Sequence, residues 1–433
     1  MKITIFAAGS RGDIQPCLAL GIGLQAAGYS VCLAAPANFA DFVRGSNLDF
    51  APLHGDVQQI ISSEFGRDFL ETGGANPLRT IGAMRKMIAP VITTMIRDAF
   101  EACRDTDALI CLGVFSPFGQ SFAEALGLPL INVEPTPLLP SQEFPAPSWP
   151  IQRNLGAAHN YLSGLVMLYS VWLWYGSFVN EFRKDQGLPR ASARYFYRAL
   201  RSTPLLGAYS PFLISHPADW PDSVHITGDF HLDSQSTWHP PDDLQTFLEA
   251  GDPPVYIGFG SMSGSRPEEL ADLVQEALNK SGQRGVLLSG WGGMCARLRA
   301  DSVFVLESAP HDWLFPRMSA VVHHGGAGTT AEGLRAGVPA VIIPFAFDQF
   351  FWGARIKEKG LGPDPIPRKK LTAGRLAAAI RTAVTDTEMK QRAAECGEAV
   401  RAVNGVEQAV QVIRAHFGEP EVPVRRRSHE RRT

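Results

Sequence analysis

The segment from Ala320 to Gln349, AVVHHGGAGTTAEGLRAGVPAVIIPFAFDQ, carries the densest set of residues able to bind a ligand. An apolar, strand-like run leads into a glycine-rich turn, and a helix pattern follows from about Thr329. Small residues at a helix N-terminus let backbone N–H groups approach an anion, and the helix dipole adds partial positive charge. No Lys-Ser/Thr pair follows the glycines, so this is not a Walker loop. The segment predicts a phosphate cradle.

Four side chains in this segment suit a ligand that carries both phosphate groups and sugar hydroxyls. His324 stands at the mouth of the turn, where its imidazole is expected to donate to a phosphate oxygen. Glu332 is expected on the first turn of the helix, where a carboxylate either complements the dipole or binds ribose hydroxyls. Asp348 and Gln349 follow the next strand-like run. This pair suits the vicinal hydroxyls of a hexose, because Asp accepts hydrogen bonds and Gln both donates and accepts.

A further candidate lies near the N-terminus in the sequence GSRGDIQP, where Asp13 begins a helix pattern. One interpretation is a helix N-cap, a position that Asp fills well. The other is a general base that takes a proton from an attacking hydroxyl. The ordinary aspartate pKa of about 4 lies far below that of an alcohol, so the proton would move late, after the new C–O bond has acidified the hydroxyl.

Two series of alternating strand-like and helix-length patterns position these residues, one from Lys2 and one from about Pro253. They predict an α/β protein with two Rossmann-like, doubly wound parallel-sheet domains that face each other across a cleft. In such sheets ligands bind at the carboxyl ends of the strands. The expected divisions are a first domain at 1–232, a linker at 233–253, a second domain at 254–418 and a disordered basic tail at 419–433.

Composition narrows the class of protein. A chain of 433 residues with 45% hydrophobic and 19% charged residues is long enough for two folded domains. The net charge of −3 gives no clustered positive excess of the kind that binds nucleic acid. The six cysteines form no CxxC pair, which indicates reduced core thiols in a cytoplasmic protein.

One uncharged segment, from Tyr161 to Val179, is about long enough to cross a bilayer. Its Tyr, Trp, Ser and Gly content and the lack of a second span favour a buried or groove-lining helix. Peripheral contact with a membrane surface stays open as an alternative.

Taken together, these motifs resemble the family 1 glycosyltransferases of the GT-B fold, most closely the branch of sterol 3-beta-glucosyltransferases and glycopeptide-antibiotic glycosyltransferases. Ala327, Gly328 and Ser308 depart from the plant signature, as they do in that branch. The resemblance implies a first domain that binds an acceptor and a second that binds a nucleotide sugar. The implied reaction is an inverting transfer of a hexose, expected to be glucose, from a UDP-sugar or another donor such as a dTDP-sugar. The implied acceptor is a hydroxyl of a hydrophobic sterol, terpenoid or macrolide.

The resemblance also assigns roles to residues. Asp13 takes the place of the general base, where plant members have histidine and sterol-type members have this aspartate. The loop at 134–150 and the aromatic helix after it are expected to bind the acceptor through Thr136, Trp172 and Phe178, although plain core packing is the alternative for the aromatic residues. The implied donor-binding residues are Ser10, Gly12, Ser261, Met262, Trp291, His311, His324, Gly326, Gly328, Thr329, Glu332, Asp348 and Gln349.

Neither a cofactor nor a metal ion is expected, because His324 and the helix N-terminus can stabilise the leaving diphosphate. Asp105 and Asp107 precede a strand and so lie at the wrong end for the cleft. Two alternatives remain. A nucleotide-sugar epimerase would need acid/base groups on the donor sugar and no acceptor pocket. A catalytically silent homologue that activates another glycosyltransferase would not need the intact Asp13 and His324.

Overall fold

The computed structural model describes residues 1–54, 77–233, 238–260, 267–288 and 301–420. The strands are β1 (Lys2–Phe6), β2 (Ser30–Pro36), β3 (Asp49–Leu53), β4 (Ala108–Leu112), β5 (Leu130–Glu134), β6 (Leu205–Gly207), β7 (Val224–Ile226), β8 (Val255–Gly258), β9 (Gly285–Leu288), β10 (Val303–Leu306), β11 (Ala320–His323) and β12 (Ala340–Ile342). The α-helices are α1 (Arg11–Ala26), α2 (Ala40–Arg44), α3 (Pro77–Ala102), α4 (Ser116–Leu126), α5 (Ala157–Asp185), α6 (Ala193–Ser202), α7 (Asp242–Glu249), α8 (Pro267–Ser281), α9 (His311–Leu314), α10 (Ala327–Ala336), α11 (Gln349–Glu358), α12 (Ala373–Thr385), α13 (Thr387–Arg401) and α14 (Gly405–Phe417).

The first seven strands form one parallel sheet in the order β3-β2-β1-β4-β5-β6-β7. Its central strands are buried along their whole length, as β4 and β5 illustrate, because helices cover both faces. One face packs on α1 and α14 through Ile3, Ile5 and their neighbours. The other packs on α3, α4 and α5 around Phe6 and Leu109.

The remaining strands form a second parallel sheet in the order β10-β9-β8-β11-β12. Helices α8 and α12 cover one face, and α10 and α11 cover the other. The order repeats that of the first five strands of the first sheet, so both sheets are doubly wound. The predicted fold class is confirmed.

The stretch predicted to be a linker, 233–253, contains the helix α7. Leu244, Phe247 and Leu248 recur at helical spacing, and Leu244 is completely buried. The ring of Trp238 packs against that of Trp313 at 4.9 Å. Residues 238–253 thus pack on the second domain, because their apolar side chains are removed from water there. The tail beyond residue 420 lies outside the described residues.

The last helix, α14, crosses back to the first domain, although it falls within the range 254–418. A Cβ on Gly23 of α1 would lie 2.3 Å from Val406 Cγ1 of α14, so the two helices are in close contact. The chain therefore passes between the domains twice. The first crossing includes residues 228–233, the second includes residues 403–405, and the two crossings are in contact. Gly228 has φ +96, and a Cβ on Gly405 would lie 2.4 Å from the carbonyl oxygen of Asp229. The domain boundaries stay a prediction.

Candidate active site

Two loops from different domains face each other where the strand order of each sheet reverses. The reversal lies between β1 and β4 in the first sheet and between β8 and β11 in the second. Ligands of such sheets bind outside the carboxyl ends of the strands at that point. Gly12 lies on the first turn of α1, just after the loop that follows β1, and Gly328 lies on the first turn of α10, just after the turn that follows β11. The Gly12 carbonyl oxygen lies 4.0 Å from the position of a Cβ on Gly328, so these two loop-to-helix segments form opposite walls of one cleft.

Asp13 lies on the first turn of α1, on the first-domain wall. The helix begins at Arg11 with Ser10 as its N-cap residue, so the N-cap interpretation of Asp13 is wrong. Asp13 is the third helical residue, and its carboxylate reaches back over the N-terminus. Its Oδ2 atom accepts hydrogen bonds from the Ser10 backbone N–H at 2.7 Å and from the Ser10 hydroxyl at 3.0 Å. This is the carboxylate half of a capping box.

Gly9 makes room for this carboxylate. Its φ of +135 lies in the region that favours glycine. A Cβ on Gly9 would lie 2.3 Å from Asp13 Oδ2 and 2.7 Å from Asp13 Cγ. A side chain at position 9 would therefore displace the carboxylate of the candidate base.

Two carboxyl groups of the cleft, those of Asp13 and Asp348, have raised pKa values. Burial raises the pKa of Asp13 above the ordinary value, and the hydrogen bonds from Ser10 offset only part of this rise. Burial likewise raises the pKa of Asp348 to about 6, and the charge of Asp13 across the cleft adds to the rise. The ordinary pKa assumed from the sequence is too low for Asp13, whose carboxylate is a correspondingly stronger base.

His324 follows β11, and its imidazole lies over the N-terminus of α10. A Cβ on Gly326 would lie 2.5 Å from His324 Nε2, and a Cβ on Gly260 would lie 3.7 Å from its Cε1. The ring is therefore held between two glycine turns. Its Nδ1 atom is buried and has no hydrogen-bond partner among the described residues. Burial, with a contribution from His311, lowers the pKa of His324 to about 4, so the ring is neutral at pH 7.

The preceding residue, His323, has a structural role that sequence reasoning missed. It is completely buried, and its Nδ1 atom accepts a hydrogen bond from the Gly325 backbone N–H at 3.1 Å. Gly325 has φ +89, and a Cβ there would lie 2.7 Å from Ile342 Cγ2. His323 thus fixes the glycine turn on which the imidazole of His324 rests. The doubled histidine of AVVHH is the signal in the sequence.

Helix α10 begins at Ala327, two residues earlier than the sequence predicts, and no side chain in the described part of the chain caps its N-terminus. Gly326 is the N-cap residue, and Gly328 and Thr329 lie on the first turn. The N–H groups of a first helical turn have no partner within the helix. This end of α10 therefore presents free donors to the cleft.

Glu332 lies on the second turn of α10, because the helix begins early; its expected place on the first turn is wrong. Its Oε1 atom lies 3.0 Å from Nδ1 of His231, at the end of the first domain. Its Oε2 atom is buried and has no hydrogen-bond partner among the described residues. Sequence reasoning did not find His231, which is distant in the chain.

Asp348 and Gln349 lie at the N-terminus of α11. Asp348 Oδ2 accepts a hydrogen bond from Trp352 Nε1 at 2.9 Å. Gln349 is buried, and its Oε1 atom accepts from the backbone N–H groups of Phe345 at 2.7 Å and Ala346 at 3.1 Å. The amide oxygen is therefore occupied by the loop, and the amide N–H groups are the part of Gln349 left to bind a sugar hydroxyl.

His311 begins α9. Its ring stacks on Phe315 with centroids 4.4 Å apart, and its Nε2 atom lies 3.3 Å from the Tyr256 hydroxyl. Its role in binding the donor stays a prediction. The donor-site residues that lie outside the described residues are Ser261, Met262 and Trp291.

Packing accounts for two of the three residues expected to contact an acceptor. Trp172 stacks on Phe196 with ring centroids 5.9 Å apart. Phe178 is only 8% exposed and belongs to the aromatic core around Phe122. Thr136 is half-buried in the loop after β5. For Trp172 and Phe178 the structure thus favours the core-packing alternative.

Sequence reasoning also missed Glu134, which ends β5 at the same sheet edge as the Asp13 loop. It is 5% exposed and accepts a hydrogen bond from the Ser116 hydroxyl. Burial raises the pKa of Glu134 to about 8, so it is mainly protonated at pH 7. The carboxyl edge of the first sheet therefore holds a buried carboxyl group that is mainly neutral.

Two family models match the chain, one on each domain. The glycosyltransferase family 28 N-terminal domain matches residues 3–139, and the erythromycin biosynthesis protein CIII-like C-terminal domain matches residues 297–411.

Relatives from a plant and from fungi match nearly the whole of this chain. Two sterol 3-beta-glucosyltransferases of Arabidopsis thaliana are 37% and 36% identical over 100% and 96% of this chain, which spans 70% and 66% of their lengths. A sterol 3-beta-glucosyltransferase of Emericella nidulans is 35% identical over 95% of the chain, which spans 30% of that protein. The chain thus corresponds to only part of these relatives.

Solved structures share the fold. The glycosyltransferase of kitacinnamycin superposes with a TM-score of 0.71 at 20% identity, covering 96% of this chain and 98% of that one. The glycosyltransferase VinC, solved in complex with dTDP, superposes with a TM-score of 0.67 at 18% identity, covering 96% and 99%. Two domain matches, relatives at 37% identity and this shared architecture lead to one conclusion: the chain belongs to the family 1 glycosyltransferases of the GT-B fold, in the group that contains the sterol 3-beta-glucosyltransferases.

Proposed function

We propose that this chain transfers a hexosyl group, with inversion, from a nucleoside diphosphate sugar to a hydroxyl group of a hydrophobic acceptor. One observation carries the proposal: the first turn of α1, which bears Asp13, lies across the cleft from the N-terminus of α10, where the neutral His324 lies, and the charge of Asp13 acts on Asp348 of the opposite wall. The names of the plant and fungal relatives support a sterol hydroxyl as acceptor and glucose as the sugar.

On the donor side, the first-turn N–H groups of α10 and His324 would hold the diphosphate. Both are neutral donors fixed in place before the ligand arrives. Such preorganised donors stabilise negative charge as it builds on the leaving group. Glu332 would bind the ribose, while Asp348 and the amide of Gln349 would bind the hexose.

On the acceptor side, the hydroxyl oxygen would attack the anomeric carbon from the face opposite the diphosphate. The new C–O bond forms as the bond from that carbon to the phosphate oxygen breaks, and the hydroxyl proton passes to Asp13. A single displacement of this kind inverts the anomeric centre without a covalent enzyme intermediate. The pKa of Asp13, raised by burial, supports its role as proton acceptor.

The test is a product assay. The protein is incubated with UDP-glucose or dTDP-glucose and with a panel of sterols, terpenoids and macrolides, and product masses and anomeric configurations are determined. We expect a β-glucoside from an α-linked donor. Conversion of the donor sugar to its epimer without acceptor would favour the epimerase, and activity seen only on adding another glycosyltransferase would favour the silent homologue.

We expect the reaction to need no metal ion, and the same geometry supports this expectation. Because α10 and His324 supply the positive potential at the diphosphate, turnover should be unchanged within about twofold after dialysis against EDTA. Initial rates with and without added Mg²⁺ or Mn²⁺ measure this. Complete loss in EDTA with recovery on adding either ion would contradict it.

We also propose that α5 lies against a lipid surface at the acceptor side of a cytoplasmic enzyme. The helix is long and apolar enough to span a bilayer, but one of its faces packs in the protein, through residues such as Gly164, Leu168 and Val179. The opposite face exposes a stripe that we call the apolar stripe: Leu162, Val166, Tyr169 and Leu173, each at least half exposed.

Three features support a lipid surface as the occupant. No charged residue lies between Arg153 and Glu181. Ile151 and Leu155, in the loop just before α5, are also exposed apolar side chains. The helix α6, which packs along α5, exposes Arg194 and Arg198 to an anionic headgroup. A helix that packs on its own protein through one face and exposes an apolar stripe on the other would lie in the plane of the interface.

Vesicle sedimentation tests this proposal. The double variant Val166→Glu/Leu173→Glu should bind phosphatidylcholine–phosphatidylglycerol vesicles at least about tenfold more weakly than the parent, since each side chain loses an apolar contact worth more than about 1 kcal/mol. Ala378→Glu/Thr382→Glu adds the same charge at exposed positions of α12 and should bind like the parent. Equal sedimentation of the two double variants would refute the lipid contact.

A further inference from the structure

The carboxylate assigned to the ribose is held by a residue from the other domain. Nδ1 of His231 lies 3.0 Å from Oε1 of Glu332, and each side chain is only 17% exposed. A carboxylate can only accept hydrogen bonds, so Nδ1 carries the proton and donates it. The bond fixes one oxygen of Glu332. The other, Oε2, is buried without a partner among the described residues.

His231 belongs to the crossing between the domains. It lies three residues after Gly228, whose φ of +96 suits glycine, and two residues after Asp229, whose carbonyl touches Gly405 of the second crossing. The hydrogen bond to Glu332 therefore joins the donor site directly to the segment where the two crossings meet.

A second carboxyl group makes the donor from His231 more important. Asp229 is half-buried close to Glu332, and desolvation and the charge of Glu332 together raise the pKa of Asp229 to about 7. Its Oδ2 atom has no partner among the described residues. Without the imidazole, Glu332 would keep an acidic neighbour and lose the one hydrogen-bond donor that its side chain has among the described residues, and its carboxylate would be free to rotate.

We propose that His231 is a positioning residue for the donor: by holding Oε1 of Glu332 from the interdomain crossing, it directs Oε2 toward the ribose hydroxyls and so sets the preference for a ribonucleotide with free 2′ and 3′ hydroxyls. This inference rests on the proposed role of Glu332. It extends that role by naming the group that orients the carboxylate.

Nucleotide binding by titration calorimetry tests the inference, with UDP and 2′,3′-dideoxy-UDP as probes. In the parent, UDP should bind at least about tenfold more tightly, because hydrogen bonds to a charged group contribute about 1.5–3 kcal/mol. His231→Phe keeps a ring but removes the donor, so UDP should weaken about tenfold while the dideoxy nucleotide changes little. His231→Gln retains an N–H donor and should keep most of the preference.

A merely structural role for His231 predicts a different pattern, in which both nucleotides weaken by the same factor in the Phe and Gln variants. That result, or an unchanged preference in His231→Phe, would overturn the inference. Glu332→Ala separates it from the proposed function. If this variant loses the preference while His231→Phe keeps it, the ribose assignment stands and only the role of His231 fails. If Glu332→Ala keeps the preference, the ribose assignment itself fails.

Discussion

Asp13→Asn should lower kcat by about 100-fold or more, in line with the loss of a general base. The variant keeps an oxygen that can accept from the Ser10 N–H and nearly the same volume. Its free energy of unfolding should therefore stay within about 1 kcal/mol of the parent. UDP affinity should also persist, because the phosphate donors lie across the cleft. Steady-state kinetics, chemical denaturation and calorimetry measure the three quantities.

The pH profile adds a control. Because the pKa of Asp13 is raised by burial, kcat/KM of the parent should fall with decreasing pH along a limb that lies above the ordinary aspartate range. The Asn variant should lose that limb. If instead Asp13 acts only in the capping box, Asp13→Ala would be unstable and Asp13→Asn would turn over at nearly the parental rate. That outcome would remove the central step of the mechanism.

His324→Ala should have the second largest effect, a fall of about 100-fold in kcat/KM, because it removes a preorganised donor at the leaving diphosphate. UDP should bind about tenfold more weakly, while the fold should persist because the neighbouring His323 holds the glycine turn. Calorimetry with UDP and kinetics with a fixed acceptor measure these changes.

His324→Gln provides the matched variant, since its amide restores an N–H donor without a titratable ring. It should recover part of the UDP affinity that His324→Ala loses. Because the imidazole is already neutral at pH 7, the Gln variant should keep the parental shape of the pH profile above about pH 6. If His324→Ala binds UDP and turns over like the parent, the diphosphate is held elsewhere.

The parts of the fold that the sequence predicts correctly depend on local patterns. Apolar runs such as ALICLGV become buried parallel strands, and the glycine-rich turn after AVVHH becomes the N-cap of α10. The doubly wound sheets then bring the ends of β1 and β11 to one cleft, as the order of the elements implies. The same reasoning correctly places Asp13 and His324 after these two strands.

The parts that sequence reasoning missed depend on contacts between distant residues. The hydrogen bond from His231 to Glu332 joins positions that are 101 residues apart, and no local sequence pattern indicates it. Trp172 reads as an acceptor contact on a helix whose two faces are both apolar, and only packing against Phe196 distinguishes the inner face. One error is local instead: Asp13 is predicted as a possible N-cap because Ser10, three residues earlier, competes for that position with equal propensity.

The return of α14 to the first domain has a consequence for building chimaeras from relatives of this chain. A single breakpoint in the stretch after residue 233 would replace the last helix with that of the relative. The side chains of that helix would have to fit the tight contact with α1, where a Cβ added to Gly23 would lie only 2.3 Å from Val406 Cγ1. Two breakpoints, near residues 238 and 403, would exchange the nucleotide half and leave that contact native. In engineering terms the second domain is a cassette inserted into the first.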